Sequence, residues 1–184
     1  MNKIITALFV LCIGTANAAT NPMFDAGDEN TIRAYTAQGV GGGHLGHLVW
    51  PGFWDVSPQT MIMAEYSQPM TLLRMPARVN VSAIQNIAYE SNSGLSFIGG
   101  GISWDIAPIS WHQFYAGVGI GPYYRNNMDR YVSSRLVFGP KFFIGMRIAE
   151  HTRVEFFTLH FSNGDTTPVN HGFNFAGINI GYGF

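Results

Sequence analysis

The feature that most constrains this chain is a side-chain period of two that runs to its last residue. Over 174–184 the even positions are Asn174, Ala176, Ile178, Ile180, Tyr182 and Phe184, and Gly177, Asn179, Gly181 and Gly183 take the other face. Such a period belongs to an extended strand, whose successive side chains point to opposite faces. It recurs upstream. In 136–148 the even set is Leu136, Phe138, Pro140, Phe142, Ile144, Met146 and Ile148, and the odd positions from 135 include Arg135, Lys141 and Arg147 with Val137, Phe143 and two glycines. In 114–121, Phe114, Ala116, Val118 and Ile120 oppose Tyr115, Gly117, Gly119 and Gly121. In 152–162, Thr152, Val154, Phe156, Thr158, His160 and Ser162 oppose a set that begins Arg153 and Glu155 and then turns apolar. A water-soluble sandwich also alternates. Here, however, the apolar faces are almost unrelieved and the opposite faces combine glycine with charge, which fits a lipid-facing exterior around a narrow, side-chain-filled polar interior. Backbone groups in lipid must all be paired, so such strands must close on themselves. The pattern predicts an all-β fold, an eight-stranded antiparallel transmembrane β-barrel of the bacterial outer membrane.

The eight strands are predicted at about 31–39, 58–67, 77–90, 95–107, 112–124, 133–148, 151–162 and 173–184, with alternation broken in the first and third. Ala149-Glu150 and Pro108-Ile109-Ser110-Trp111 read as short periplasmic turns. Val40–Ser57, Arg125–Val132 and Asn163–Gly172 read as longer external loops. Trp50, Trp54, Trp104, Trp111, Tyr123, Tyr124 and Tyr131 fall near strand ends, as the aromatic girdles of a membrane barrel do. Glu65, Glu90, Asp105, Glu155, Arg135, Lys141, Arg147 and Arg153 read as interior charges that fill the lumen in pairs. The terminal Phe184, preceded at every second position by Tyr182, Ile180 and Ile178, resembles the C-terminal signal of bacterial outer-membrane barrels.

Composition agrees. Of 184 residues only 11% are charged and 14% are aromatic, the reverse of a disordered chain. A formal charge of −1 argues against nucleic acid as a partner, since phosphate binding needs a basic face. Residues 1–18 read as a secretory signal peptide, with Lys3 in the n-region, a mostly apolar run from Ile4 to Ala16, and the small-x-small cleavage pattern Ala16-Asn17-Ala18. The mature chain, 19–184, is expected to be a single barrel domain. Cys12, the one cysteine, leaves with the signal, so neither a disulfide nor a thiolate metal site is expected. After residue 20 no run of 18 apolar residues suggests a membrane helix.

The stretch with chemistry in it is His160-Phe161-Ser162-Asn163, followed by Asn170-His171-Gly172. In a strand, residues i and i+2 share a face and lie roughly 6–7 Å apart. His160 and Ser162 therefore point the same way, and an imidazole can take the proton that makes a serine hydroxyl nucleophilic. Asn163 offers an amide N–H for a developing oxyanion. Their parity is that of Val154 and Phe156, which face lipid, where polar groups are costly unless partnered or at the rim. If strand one starts in the periplasm, strand seven ends at the outer leaflet, beside lipopolysaccharide. By itself His-x-Ser is also what a surface or rim pair looks like.

The stretch from Glu155 to Phe184 resembles the end of PagL-type lipid A 3-O-deacylases, eight-stranded outer-membrane barrels with a His-x-Ser-Asn motif on the membrane-facing exterior. The earlier strands match only in general pattern. The resemblance implies Ser162 as nucleophile, His160 as general base, Asn163 as oxyanion residue, and Asn170 and Gly172 as residues that position the loop. It implies metal-free, cofactor-free hydrolysis of the ester-linked 3-acyl chain of lipid A through an acyl-serine. The family pattern has an acid fourteen positions after the motif histidine; here Asn174 stands there. An asparagine accepts a hydrogen bond from imidazole but supplies no charge, and in serine proteases that exchange costs about 10⁴ in turnover. Asp165 is the nearby acid outside the expected lumen. His44, His47 and His112 read as girdle or loop residues, His151 as a residue of a periplasmic turn, and His171 as a loop residue.

Two further readings share this fold: a non-catalytic structural or adhesive barrel of OmpA or OmpX type, and an acyltransferase that passes the acyl group to an alcohol. Fold alone does not separate them. The expected partners are lipid A of the outer leaflet and the membrane, with a homodimer left open.

Overall fold

The structure, a computed structural model, describes residues 29–41, 43–48, 54–89 and 95–184. The expected leader over 1–18, Trp50 and Glu90 lie outside them. The described strands are β1 (Thr31–Val40), β2 (Val56–Leu72), β3 (Met75–Ala88), β4 (Phe97–Trp111), β5 (Phe114–Ile120), β6 (Pro122–Arg125), β7 (Leu136–Phe138), β8 (Lys141–Arg147), β9 (Thr152–Phe161) and β10 (Phe173–Gly183), with one 3-10 turn at Leu45–Leu48. β4 pairs with both β5 and β6, β6 with β7, and β5 with β8. β5 with β6, and β7 with β8, are thus each one stave interrupted once. The ten segments form eight antiparallel staves. β10 pairs with β1, which closes the barrel.

Both interruptions occur where two glycines face each other. Gly139 N–H donates to Gly121 C=O at 2.8 Å, and neither position has a side chain to hold the pleat. Elsewhere the pairing runs further than the sequence suggests. β2 extends to Leu72 because its ladder with β3 continues down to Leu72 opposite Met75. The turn between them is Leu73-Arg74, both with positive φ (53° and 64°), as a two-residue hairpin of matching twist requires. Pro108–Trp111 is not a turn. β4 passes through it with a register shift between Ile106 and Ile109, an irregularity of the kind that accommodates a proline in a strand. The reversal comes at His112-Gln113. Short reversals at 73–74, 112–113 and 148–151 share one end of the barrel. The longer connections share the other, which is the external end.

Parity sorts the side chains. Ile32, Val81, Ile98, Ile144, Ile178 and Ile180 are exposed on the outer wall. The lumen is filled in two zones. Across its middle, Arg78 Nε meets Asp105 at 2.7 Å, and its two terminal nitrogens meet both Glu155 oxygens at 2.7 and 3.0 Å. Lys141 Nζ lies 2.7 Å from Asp105. Tyr115 OH and Asn179 Nδ2 donate to Glu155, each at 2.8 Å. Towards the external end, Phe97, Tyr123, Phe161, Phe173 and Phe175 pack edge to face or tilted, with Phe161 and Tyr123 5.1 Å apart at 83°. Tyr123 therefore faces inward and Tyr131 packs against this cluster, rather than joining a girdle. Arg135 is exposed at the rim and Arg147 is half-buried, so neither is a fully buried lumen charge. Arg33 and Arg78 take that place.

Candidate active site

β9 delivers His160 and Ser162 to the external end of the outer wall. Phe157, Leu159 and Phe161 point into the lumen and are fully buried, so the even positions between them face outward. The antiparallel register sets Asn174 of β10 directly opposite His160. His160 Nδ1 and Asn174 Oδ1 are 2.7 Å apart.

The orientation of this pair follows from its surroundings. Asn174 Nδ2 donates to the main-chain carbonyl of His44 at 3.2 Å. A carbonyl only accepts, so the amide must turn its NH₂ that way and its oxygen to the imidazole. An amide oxygen likewise only accepts, so His160 carries its proton on Nδ1. Nε2 keeps its lone pair. Although on the lipid side by parity, His160 is only 4% exposed and Asn174 1%, because the connection after β1 folds back over the wall. Gly43 and Gly172 meet backbone to backbone there: a Cβ on Gly43 would fall within 2.2 Å of the Gly172 carbonyl oxygen. Gly172, at φ +65°, lies so close to the imidazole that a Cβ on it would be 2.6 Å from His160 Cε1.

Ser162 follows the last residue of β9 and is half-exposed. It forms an isolated bridge to Phe138, with Phe138 N–H donating to Ser162 C=O at 2.7 Å and the reverse bond at 3.2 Å. Among the described residues no side chain holds its hydroxyl in a hydrogen bond, and the His160 imidazole does not; such catalytic bonds often tighten only with substrate bound.

The oxyanion role expected of Asn163 does not follow from this geometry. Its side-chain NH₂ donates to Thr167 Oγ1 and Val169 C=O at 2.5 and 2.9 Å, and its backbone N–H donates to Asn170 Oδ1 at 2.8 Å. All its donors are engaged by its own loop. Asn170 also donates to Asp165 Oδ1 at 2.8 Å, so Asp165 faces Asn170 on the exposed side of the loop rather than the imidazole. His171 is exposed beside Tyr131, to whose carbonyl its N–H donates. His151 meets Glu29 at 2.8 Å at the far end of the barrel.

Below the histidine runs an apolar groove of about 460 Å³ on the outer wall, lined by Ala116, Val118, Phe142, Ile144, Phe156 and Thr158. Trp54 forms its upper edge, stacked on Phe156 with ring centroids 6.0 Å apart and its Nε1–H on the His47 carbonyl at 2.7 Å. The sequence places Trp54 among the aromatics near strand ends. It gives no sign of the His44 carbonyl, because a main-chain acceptor leaves no residue-type signature.

Comparison with known proteins decides the family. The sequence pattern of the family described as lipid A 3-O-deacylase (PagL) matches residues 63–183, a span that includes His160, Ser162 and Asn174. The chain belongs to this family. It is an outer-membrane ester hydrolase, and the non-catalytic reading of the barrel gives way. The match reaches well upstream of the last thirty residues, where the resemblance is most visible by eye. Among solved structures, the crystal structure of the outer membrane enzyme PagL aligns with a TM-score of 0.52 at 12% identity, covering 81% of this chain and 98% of that one. At that identity the likeness is one of fold. No curated protein sequence matches this chain.

Proposed function

We propose that this lipid A deacylase works as a serine esterase, with Ser162 as nucleophile, His160 as general base and Asn174 as the residue that orients the base. The observation that carries the reading is the 2.7 Å contact between His160 Nδ1 and Asn174 Oδ1, buried on the lipid side of the wall two residues from a serine. Ser162 Oγ attacks the carbonyl carbon of the 3-position ester as its proton passes to His160 Nε2. The tetrahedral intermediate collapses, the sugar oxygen leaves with the proton returned by the imidazolium, and the acyl group stays on Ser162. Water then attacks the acyl-serine, gives its proton to Nε2, and the fatty acid departs as Oγ recovers the proton.

The groove beneath His160 receives the chain being cut. Inside a bilayer this binding brings little hydrophobic gain, because lipid tails are as apolar as the wall. The groove's contribution is placement. Holding the ester within reach of Oγ lowers the barrier by the cost of orientation.

Mass spectrometry of lipid A from cells expressing the protein tests this. Wild type removes one 3-hydroxyacyl group, and Ser162→Ala, correctly inserted, leaves lipid A intact. An unchanged spectrum with folded wild type would falsify the reading. Transfer of the released acyl group to an alcohol in place of water would show the acyltransferase variant of the same chemistry.

A further inference from the structure

The Trp54–Phe156 stack has hollows on both sides. The groove already described lies over β5, β8 and β9. A second hollow of about 420 Å³ lies over β10, β1 and β2, lined by Thr36, Gln38, Thr60, Ala176 and Ile178 and bounded by the same two rings. Each begins one step below one member of the buried couple: Thr158 is two residues from His160, and Ala176 two residues from Asn174, on the same face. Thr158 and Ala176 are register partners on adjacent strands, so the two hollows begin one strand spacing, roughly 5 Å, apart.

The two differ chemically. The first is apolar along nearly its whole length, with the Thr158 hydroxyl at its upper end. The second is polar at its external end, where Thr60 Oγ1 donates to Gln38 Oε1 at 3.1 Å and lies 2.7 Å from Tyr89 OH. Below, Thr36, Ile178 and Phe156 share one register row, and the hollow there is mostly apolar.

We infer that the second hollow is an acyl-chain subsite for the chain next to the scissile one on the same sugar, and that the Trp54–Phe156 stack is the ridge that parts the two. This rests on the esterase reading above. An amide-linked root carries an N–H donor as well as a carbonyl, which the Thr60, Gln38 and Tyr89 cluster at the upper end can answer; an ester-linked root carries acceptors only, and the nearly apolar first groove, with one hydroxyl at Thr158, suits it. Because burial in a wall surrounded by lipid gives little affinity, discrimination here must come from shape. A ridge between two chains fixes which of two neighbouring acyl groups lies under Ser162.

The test uses purified full-length mature protein in vesicles and two synthetic glucosamine probes. Both carry the same 3-position ester. One bears a long amide-linked chain at position 2, and the other an acetamide. The readout is the ratio of kcat/KM for the two-chain probe to that for the one-chain probe. Wild type favours the two-chain probe. Ala176→Phe, which fills the second hollow from the lipid side, lowers the ratio at least tenfold, and Thr36→Trp does so independently from β1. Trp54→Ala lowers it too, by merging the hollows. A ratio unmoved by either filling variant in folded, Ser162-dependent enzyme overturns the subsite and leaves the esterase reading standing. If wild type hydrolyses neither probe, the subsite falls together with the reading it rests on.

Discussion

The barrel hides polar groups in two places, and they are built differently. In the lumen, Arg78, Glu155, Asp105 and Lys141 answer one another with short ion pairs, and Tyr115 and Asn179 add further hydrogen bonds to Glu155. On the outer wall, His160 and Asn174 form a neutral couple that Asn174 ties to a loop carbonyl, and the adjacent Ser162 hydroxyl has no side-chain partner among the described residues. A charge in a narrow interior is stable only when fully answered. A nucleophile is useful only when it is not. Charge closes the first region into structure, and its absence from the second leaves a lone pair on Nε2 for chemistry.

The largest effect expected from breaking this contrast is at Ser162. Ser162→Ala lowers turnover of a purified preparation by about 10³-fold or more, while its unfolding free energy in urea stays within about 0.5 kcal/mol of wild type, since no described side chain depends on the hydroxyl. Glu155→Ala shows the opposite behaviour. Removing one partner of a buried pair costs about 3–5 kcal/mol, seen as an earlier unfolding midpoint in vesicles. Turnover per folded molecule remains near wild type. A stable Glu155→Ala barrel would show that the lumen charges are not the structural half of the comparison.

Gly172→Ala sharpens the other half. The added methyl meets His160 Cε1 at 2.6 Å, in a backbone with φ +65° that disfavours any side chain. A displacement of about 1 Å in a catalytic group costs on the order of 100-fold, so kcat per folded molecule falls about that much, and the strained backbone also lowers stability by about 1 kcal/mol or more. Asn174→Ala gives the smallest effect, a loss of roughly tenfold or more. Equal rates would show that the base is oriented elsewhere, and Asp165→Ala would be measured next.

Much of this architecture is readable from residue order because the outer wall repeats. Parity puts His160, Ser162 and Asn174 on one face, and the strand register then joins His160 to Asn174. What escapes such a reading depends on partners. The interruptions at Gly121 and Gly139 exist because the two glycines meet across the sheet. Pro108 reads as a turn, yet a register shift lets β4 carry it. Arg33 and Arg78 stand in strands whose outward positions include alanine, threonine and glutamine, so the alternation that would mark them as interior is faint. Asn163 looks like an oxyanion donor from its place beside Ser162, but the loop it belongs to takes every N–H it has.

The register that sets Asn174 opposite His160 also sets it opposite Val40, on the seam where the last stave meets the first. The imidazole thus receives its orienting partner only when the cylinder is sewn shut, and the His44 carbonyl reaches that amide only from a connection already laid over the seam. A chain whose barrel is still open carries both serine and histidine without the Asn174 contact that the proposed mechanism uses. On the proposed mechanism, closing the seam comes before cutting an ester, and the strand pairing that seals the wall is the same pairing that readies the base.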